Sequence, residues 1–261
     1  MLAELWRYRS FVLTMVRREF AARYLRSALG SLWAVAPPLA MVLIYTVVFG
    51  RLMRARLPGL DDALGYGIFA CAGIASWSAF AEVITRCLAV FPENGNLIKK
   101  INFPRATLPA IVCLSATVNF GIVFGSLVVV LAAFGRFPGW ALLACLPLFV
   151  LQQALALGVG VTLGVLNVFL RDVAHVVAVA LQVWFWFTPI VYPAVILGEA
   201  ARRGLDWNPL TRIVVAYQQI VLTGTWPDWT LFVPHMCVVA LALGVAWFTF
   251  RRLAGEMADY L

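Results

Sequence analysis

Charge is what this chain has least of. Only 12% of its 261 residues are Asp, Glu, Lys or Arg, while 63% are hydrophobic, and the mean hydropathy is +0.92. A soluble domain with one buried core carries about twice that share of charge, so the composition excludes water as the medium and leaves a bilayer. Lysine is nearly missing. Lys99 and Lys100 are the only two, and neither closes a GxxxxGK[ST] loop, which excludes ATP binding by a P-loop. The two histidines, His175 and His235, stand at the ends of apolar runs without an HExxH pattern, and read as interfacial residues. Five cysteines, Cys71, Cys87, Cys113, Cys145 and Cys237, are scattered singly, with no CxxC, and read as small core residues. Asp172 and His175 can meet at i,i+3 on a helix, but no nucleophile accompanies them. No catalytic residue and no metal site is therefore assigned.

What the chain has in abundance is uncharged length. A helix crosses about 30 Å of hydrocarbon with roughly 20 apolar residues. Runs of that order, with their helical extensions, place six spans at approximately 27–50, 63–88, 106–135, 137–170, 173–196 and 229–250. A seventh uncharged run, Ile213 to Pro227, is too short to cross and suggests a re-entrant or interfacial piece. The fold class predicted is an all-α integral membrane protein, with an amphipathic segment over 1–26 and a transmembrane domain over 27–261. An external region over 197–228 separates spans five and six. Basic residues are retained on the cytoplasmic side of inserting helices. With both termini inside, that side holds 13 of the 20 basic residues, and Arg51, Arg54 and Arg56 form a local exception outside. The net charge of +8 thus follows from residues at membrane edges and does not point to nucleic acid.

Several segments stand out within this frame. In residues 1–26, Leu5, Val12, Val16 and Phe20 recur at helical spacing opposite Glu4, Arg7 and Arg18, which fits a helix lying on the inner leaflet. Pro37 and Pro38 predict a kink in the first span. In "FPENGNLIKKINFPR", Phe91 to Arg105, Asn96 can cap a short helix in which Leu97, Ile98 and Ile101 share a face, Lys99 and Lys100 point elsewhere, and Pro104 stops it. Such a helix is too short to stand alone and must dock, on its own bundle or in a partner's groove. Glu82 and Arg86 form an i,i+4 pair within an otherwise apolar span. Arg171 and Asp172 sit in the tight turn of a helical hairpin. In "VWFWFTPIVYP", Val183 to Pro193, Pro189 and Pro193 predict that the fifth span bends or ends.

The stretches "RREFAARYLRSALGSLWAVAPPLAMVLIYTVVFG" (Arg17 to Gly50), "NGNLIKKINFPRATLP" (Asn94 to Pro109), "LNVFLRDVAHVV" (Leu166 to Val177) and "LQVWFWFTPIVYP" (Leu181 to Pro193), with a weaker "WNPLTRIVVAYQQIVL" (Trp207 to Leu222), carry a resemblance. In this order the sequence resembles the type-2 transmembrane permease subunit of the polysaccharide-exporting ABC transporters, the O-antigen, capsule and teichoic-acid exporters, and is most similar to the O-antigen type. The resemblance implies a homodimer forming a channel in the bacterial inner membrane, bound by two copies of a separate ATPase subunit that hold ATP and Mg. This chain itself would carry no cofactor. It also implies an ATPase interface built from the N-terminal helix and from Asn96, Leu97, Ile98, Lys99, Lys100 and Ile101, with Arg171 and Asp172 on the same face. The short helices after "TPIVYP" would help to gate the exit.

Sugar C–H faces stack on aromatic rings, and a sliding polymer needs contacts without desolvated charge. Trp33, Tyr45, Trp184, Phe187 and Tyr192 are the candidates for the channel or exit, with an interfacial aromatic belt as the competing reading. Arg23, Arg26 and Arg171 are candidates for a lipid pyrophosphate headgroup, although attraction to membrane phospholipid predicts the same residues. The expected activity is export of a lipid-linked polysaccharide. The alternatives are a related permease for a small lipid or drug, and a membrane-embedded lipid-modifying enzyme, which would gather Asp172, His175 and another polar group around one pocket.

Overall fold

The computed structural model describes residues 6–22, 36, 40–41, 43–48, 63–100 and 104–261. Most of the expected first span, with its proline kink, lies outside them. The described residues form helices, which we number α1 (Arg9–Phe20), α2 (Ala63–Glu93), α3 (Gly95–Lys100), α4 (Thr107–Ala133), α5 (Cys145–Phe169), α6 (Asp172–Trp186), α7 (Glu199–Asp206), α8 (Pro209–Thr223), α9 (Val233–Leu253) and α10 (Met257–Tyr260). Short 3₁₀ turns precede α5 and α9, and another leads toward α7. No strand occurs among the described residues.

The long helices follow from apolar length without breakers, and their packing follows from residue size. Four helical stretches, Leu64–Glu93, Thr107–Ala133, Gly139–Phe169 and Trp229–Leu253, are long and apolar enough to cross a membrane. The protein is accordingly a multi-pass membrane protein. Helix α2 is the hub, touching α4, α5, α6 and α8, and α5 lies between α2 and α9. Alanines at 70, 72, 75 and 79 keep α2 slender where it is most enclosed. Gly164 in α5 faces the Cys87 backbone so closely that any side chain there would collide, and a Cβ at Gly158 would come within 2.8 Å of the Ala242 backbone. Small residues at these crossings let helices approach, which is how helices associate where lipid leaves no hydrophobic drive between them. The outer helices show the converse. Leu114, Val118 and Val129 of α4, and Leu241, Val245 and Phe248 of α9, are exposed on the subunit surface, an arrangement stable against acyl chains and costly against water. Cys237, expected as a core residue, is exposed on this outer side of α9, whereas Cys71, Cys87 and Cys145 are buried.

The fifth expected span, 173–196, is the main departure. Its helix α6 stops at Trp186 after 15 residues, a rise of about 22 Å, which is short of the roughly 30 Å hydrocarbon core. The chain then turns at Thr188–Tyr192 and reaches the paired short helices α7 and α8. Helix α8 is delimited by its own sequence. Asn208 caps it, Pro209 occupies the first turn, and Gly224 ends it with φ of 64°. The sequence suggests a re-entrant or interfacial piece here. Helix α8 wedges into the bundle, burying Leu210, Ile213, Tyr217 and Ile220 in contact with α2 and α5.

Candidate coupling and exit sites

At one end of the bundle the N-terminal helix is fastened to the transmembrane core. Val12 and Val16 of α1 pack on Ile111 of α4, so the apolar stripe expected on a leaflet is turned toward protein. Beyond this contact Glu19 accepts two hydrogen bonds on Oε2, from Arg86 of α2 and from the Ser115 hydroxyl of α4, both at 2.6 Å. Arg86 also faces Glu82 at 3.6 Å, which confirms the i,i+4 pairing. Glu82 in turn accepts from the Asn119 amide of α4 at 2.6 Å. One arginine therefore joins two carboxylates drawn from α1 and α2, and α4 supplies a donor to each. This network borders a cavity of about 410 Å³ that includes Val16, Phe20 and Val118 in its wall.

The short helix α3 follows α2 directly at the same end. It begins at Gly95, so Asn96 lies within its first turn and does not cap it. Before it, the Asn94 carbonyl accepts from the Ile98 N–H at 3.0 Å. Ile98 is buried in the subunit's own core beside Met257 and Ala106, which takes it away from the surface expected for a partner. Asn96 and Lys99 remain exposed. Of Leu97 and Lys100 only the helical backbone is described, and Ile101 lies outside the described residues. The C-terminus supports α3, because Leu261 packs against Gly95 and Tyr260 meets Phe169 of α5 with ring centroids 4.8 Å apart. Arg171 and Asp172 are exposed in the turn between α5 and α6. That turn is pinned by Asn167, whose side chain donates to the Leu88 carbonyl at 2.9 Å and accepts from the Ala174 N–H at 3.1 Å. Arg171 is thus exposed in a turn tied to α2, while Arg23 and Arg26 fall outside the described residues. His175 is exposed, and neither it nor Asp172 lines the cavities found among the described residues, at the α1 end, beside α7 and α8, or between α4, α5 and α9.

The opposite end of the bundle holds the break in "WFWFTPIVYP". A helix that stops inside a membrane frees carbonyls that no water can satisfy, each at a cost of several kcal/mol. Here nearly every one has a named donor. Thr188 Oγ1 donates to the Trp184 carbonyl at 2.9 Å, and the Tyr192 hydroxyl donates to that of Trp186 at 2.7 Å. Asn208 Nδ2 donates to the Phe187 carbonyl at 3.1 Å and to the Thr188 hydroxyl at 2.9 Å. Gln218 Nε2, buried on α8, donates to the carbonyls of Pro189 at 3.1 Å and Ile190 at 3.0 Å. Tyr66 at the start of α2 closes the set, its hydroxyl donating to Val191 at 2.5 Å. Gly73 makes room for this arrangement, since a Cβ there would lie 2.6 Å from the Ile190 carbonyl oxygen and 2.7 Å from Gln218 Nε2.

The aromatic candidates divide accordingly. Trp184 is turned inward, edge-on to Trp77 and Phe80, with Nε1 donating to Asn208 Oδ1 at 3.0 Å. The same oxygen accepts from the Leu210 N–H at 3.0 Å to cap α8. Trp186 and Phe187 are exposed at 61% and 65%, leaving Phe187 and its neighbour as open ring faces. Tyr192 is half-buried, and Tyr45 packs beside the cluster around Tyr217. Trp33 lies outside the described residues. Sequence reasoning counted charges within the spans and so passed over Tyr66, Gly73, Thr188, Asn208 and Gln218. The available signal was the uncharged amides: Gln152 of α5, for instance, accepts from Ser76 Oγ at 2.7 Å and donates to the Ser76 carbonyl at 2.8 Å. His235, expected at an interface, is buried against Phe232.

Comparison with known proteins bears on both ends at once. The model of the ABC-2 type transporter family matches residues 10–222, from α1 through α8. The chain is 28% identical to an O-antigen export system permease protein of Myxococcus xanthus over 94% of its own length and 91% of that protein's. It is 29% identical to one of Klebsiella pneumoniae, covering 82% of this chain and 81% of the relative. A polysialic acid transport protein of Escherichia coli is 22% identical over 91% of this chain and 92% of its own.

Proposed function

Given that the chain belongs to the ABC-2 type transporter family, we propose that it is the channel-forming permease subunit of an exporter moving a lipid-linked polysaccharide, of O-antigen or capsular type, across the bacterial inner membrane. Two copies of the chain form the channel, each completed by the expected first span and, in place of a continuous fifth span, by α6 and the turn after it, with both termini cytoplasmic. Two copies of a separate subunit bind ATP and Mg and perform the hydrolysis. The observation that carries this reading is the end-to-end similarity to permeases named for O-antigen export and polysialic acid transport, with over nine-tenths of each chain matched in the first and last of the three relatives.

Two structural features support a mechanism. Exposed Asn96 and Lys99 on α3, and exposed Arg171 and Asp172 at the turn into α6, offer the ATPase subunit polar contacts. Motion received there passes to α2 as a rigid body, because α3 follows it without a linker and Ile98 is sunk in the shared core. Helix α2 carries the motion to the opposite end, where Tyr66 holds the α6 break. Phe187 and Trp186 then present ring faces to sugars near the exit.

The apolar groove of about 370 Å³ between α4, α5 and α9, lined by Pro109, Leu157, Val161 and Trp247, favours a second reading in which a small lipid is the cargo. Deletion of the gene decides between them. Mass spectrometry of lipid extracts is expected to show glycan-bearing lipid accumulating several-fold inside the cell as surface glycan disappears. Intact surface glycan with a displaced phospholipid or drug would favour the second reading.

A further inference from the structure

A second cavity, of about 260 Å³, lies at the exit end among α7, α8 and the 3₁₀ turn before α9. Its polar wall comprises Arg202, Asp206, Thr211, Arg212, Gln219 and Asp228, and Leu205 and Phe232 give it apolar surface. Drug-sized ligands occupy roughly 300–1,000 Å³, so this space suits something smaller, on the scale of one sugar ring. Two guanidiniums face two carboxylates, and Arg212 is already paired with Asp206 at 3.1 Å. The wall is therefore neutral overall and has no net field to hold an anion. Asp228 is further occupied at Oδ1, which accepts from the Thr230 N–H and hydroxyl at 3.0 and 2.7 Å, and these two bonds hold its carboxyl below the usual range.

Thr211 points to a ligand. It is 6% exposed, it lines the cavity, and its hydroxyl has no hydrogen-bond partner. A buried hydroxyl left unpaired is destabilising, and a polyol entering the cavity supplies the missing bond. Next in sequence to wall residues Asp206 and Pro227, Trp207 and Trp226 are 90% and 54% exposed, offering flat apolar faces of the kind sugars stack on. Neutral charge, mixed donors and acceptors, an orphan hydroxyl and flanking indoles together describe a carbohydrate site.

We propose that this cavity is a carbohydrate subsite that takes one uncharged sugar unit of the glycan as it leaves the channel, an inference resting on the export reading above. Thr211 and Gln219 bond the sugar hydroxyls, the Asp206–Arg212 pair orients them, and Trp207 covers the ring. Weak binding of a single unit next to the exit biases a sliding polymer outward without arresting it.

The test uses the full chain in lipid nanodiscs and saturation-transfer NMR with methyl mannoside, methyl galactoside, methyl rhamnoside and N-acetylglucosamine as probes. At least one is expected to give a signal that falls ten-fold or more in both Thr211→Val and Gln219→Leu. Because Thr211→Val replaces an unpaired hydroxyl with a methyl group of similar size, its unliganded unfolding midpoint is expected to stay level or rise, which separates lost binding from lost folding. No signal from any probe, a signal untouched by both substitutions, or displacement by inorganic phosphate would overturn the proposal. In cells, Thr211→Val is expected to slow surface display several-fold, and undiminished display would show that the site does not serve the exported glycan. A deletion strain that keeps its surface glycan would instead sink the export reading, while the nanodisc signal judges the pocket independently.

Discussion

Gln218 illustrates how much one side chain can do where water is absent. Its Nε2 satisfies the carbonyls of both Pro189 and Ile190, and it is 3% exposed. Replacing it with Leu keeps the volume and removes both bonds, leaving two enclosed acceptors at about 1–3 kcal/mol each. Gln218→Leu is expected to lower the thermal midpoint in detergent by several degrees and to slow export. A midpoint equal to that of the unaltered protein would show that other groups satisfy the break. The sequence announced the break itself through Pro189 and Pro193, since proline lacks the donor a continuing helix needs. The residues that compensate were hidden, because a lone Gln or Asn in an apolar run has no spacing rule and its partner is found only after folding. Asn208 before Pro209 signals a turn, and nothing in its spacing marks it as the hydrogen-bond partner of Trp184.

Elements were read more securely than their contacts. Apolar length placed α2, α4, α5 and α9, and the apolar face of Leu97 and Ile98 before Pro104 marked the short helix α3. Length overreached at the fifth span, where an uncharged run continued past the last helical residue, Trp186, because turn and helix there are equally apolar. The amphipathicity of α1 showed a buried face but could not say whether lipid or protein covers it; Ile111 does. The packing of α5 makes a sharp prediction. A branched side chain at Gly164 must displace the α2 backbone at Cys87, so Gly164→Val is expected to cost about 2–3 kcal/mol, read as a lower midpoint and reduced yield, whereas Gly125→Ala, in open space on α4, should change neither. The fastening of α1 is also measurable. The Glu19–Arg86 contact is partly open, with side chains 43% and 28% exposed, so a double-mutant cycle with Glu19→Gln and Arg86→Met is expected to give a coupling of about 1 kcal/mol. Zero coupling would leave α1 held by the packing of Val12 and Val16 and by the Ser115 hydrogen bond.

The whole molecule is a subunit with two differently built ends joined by α2. At one end ion pairs, the short helix α3 and the C-terminus form a solvent-accessible contact face; at the other, neutral amides and hydroxyls hold an interrupted helix against α8. This polarity fits a machine that receives work on one side and opens on the other. It also explains why family membership was readable from sequence, since the motifs quoted mark those two ends. The most direct test is translocation in proteoliposomes containing this chain and its ATPase subunit. Radiolabelled lipid-linked glycan is loaded on the leaflet facing the ATPase, and a glycosidase is confined to the opposite side. The account predicts release of labelled sugar only when MgATP is added, reduced by Asn96→Ala with Lys99→Ala and abolished without the chain. Release at the same rate without ATP, or ATP-driven movement of a phospholipid but not of the glycan carrier, would contradict it.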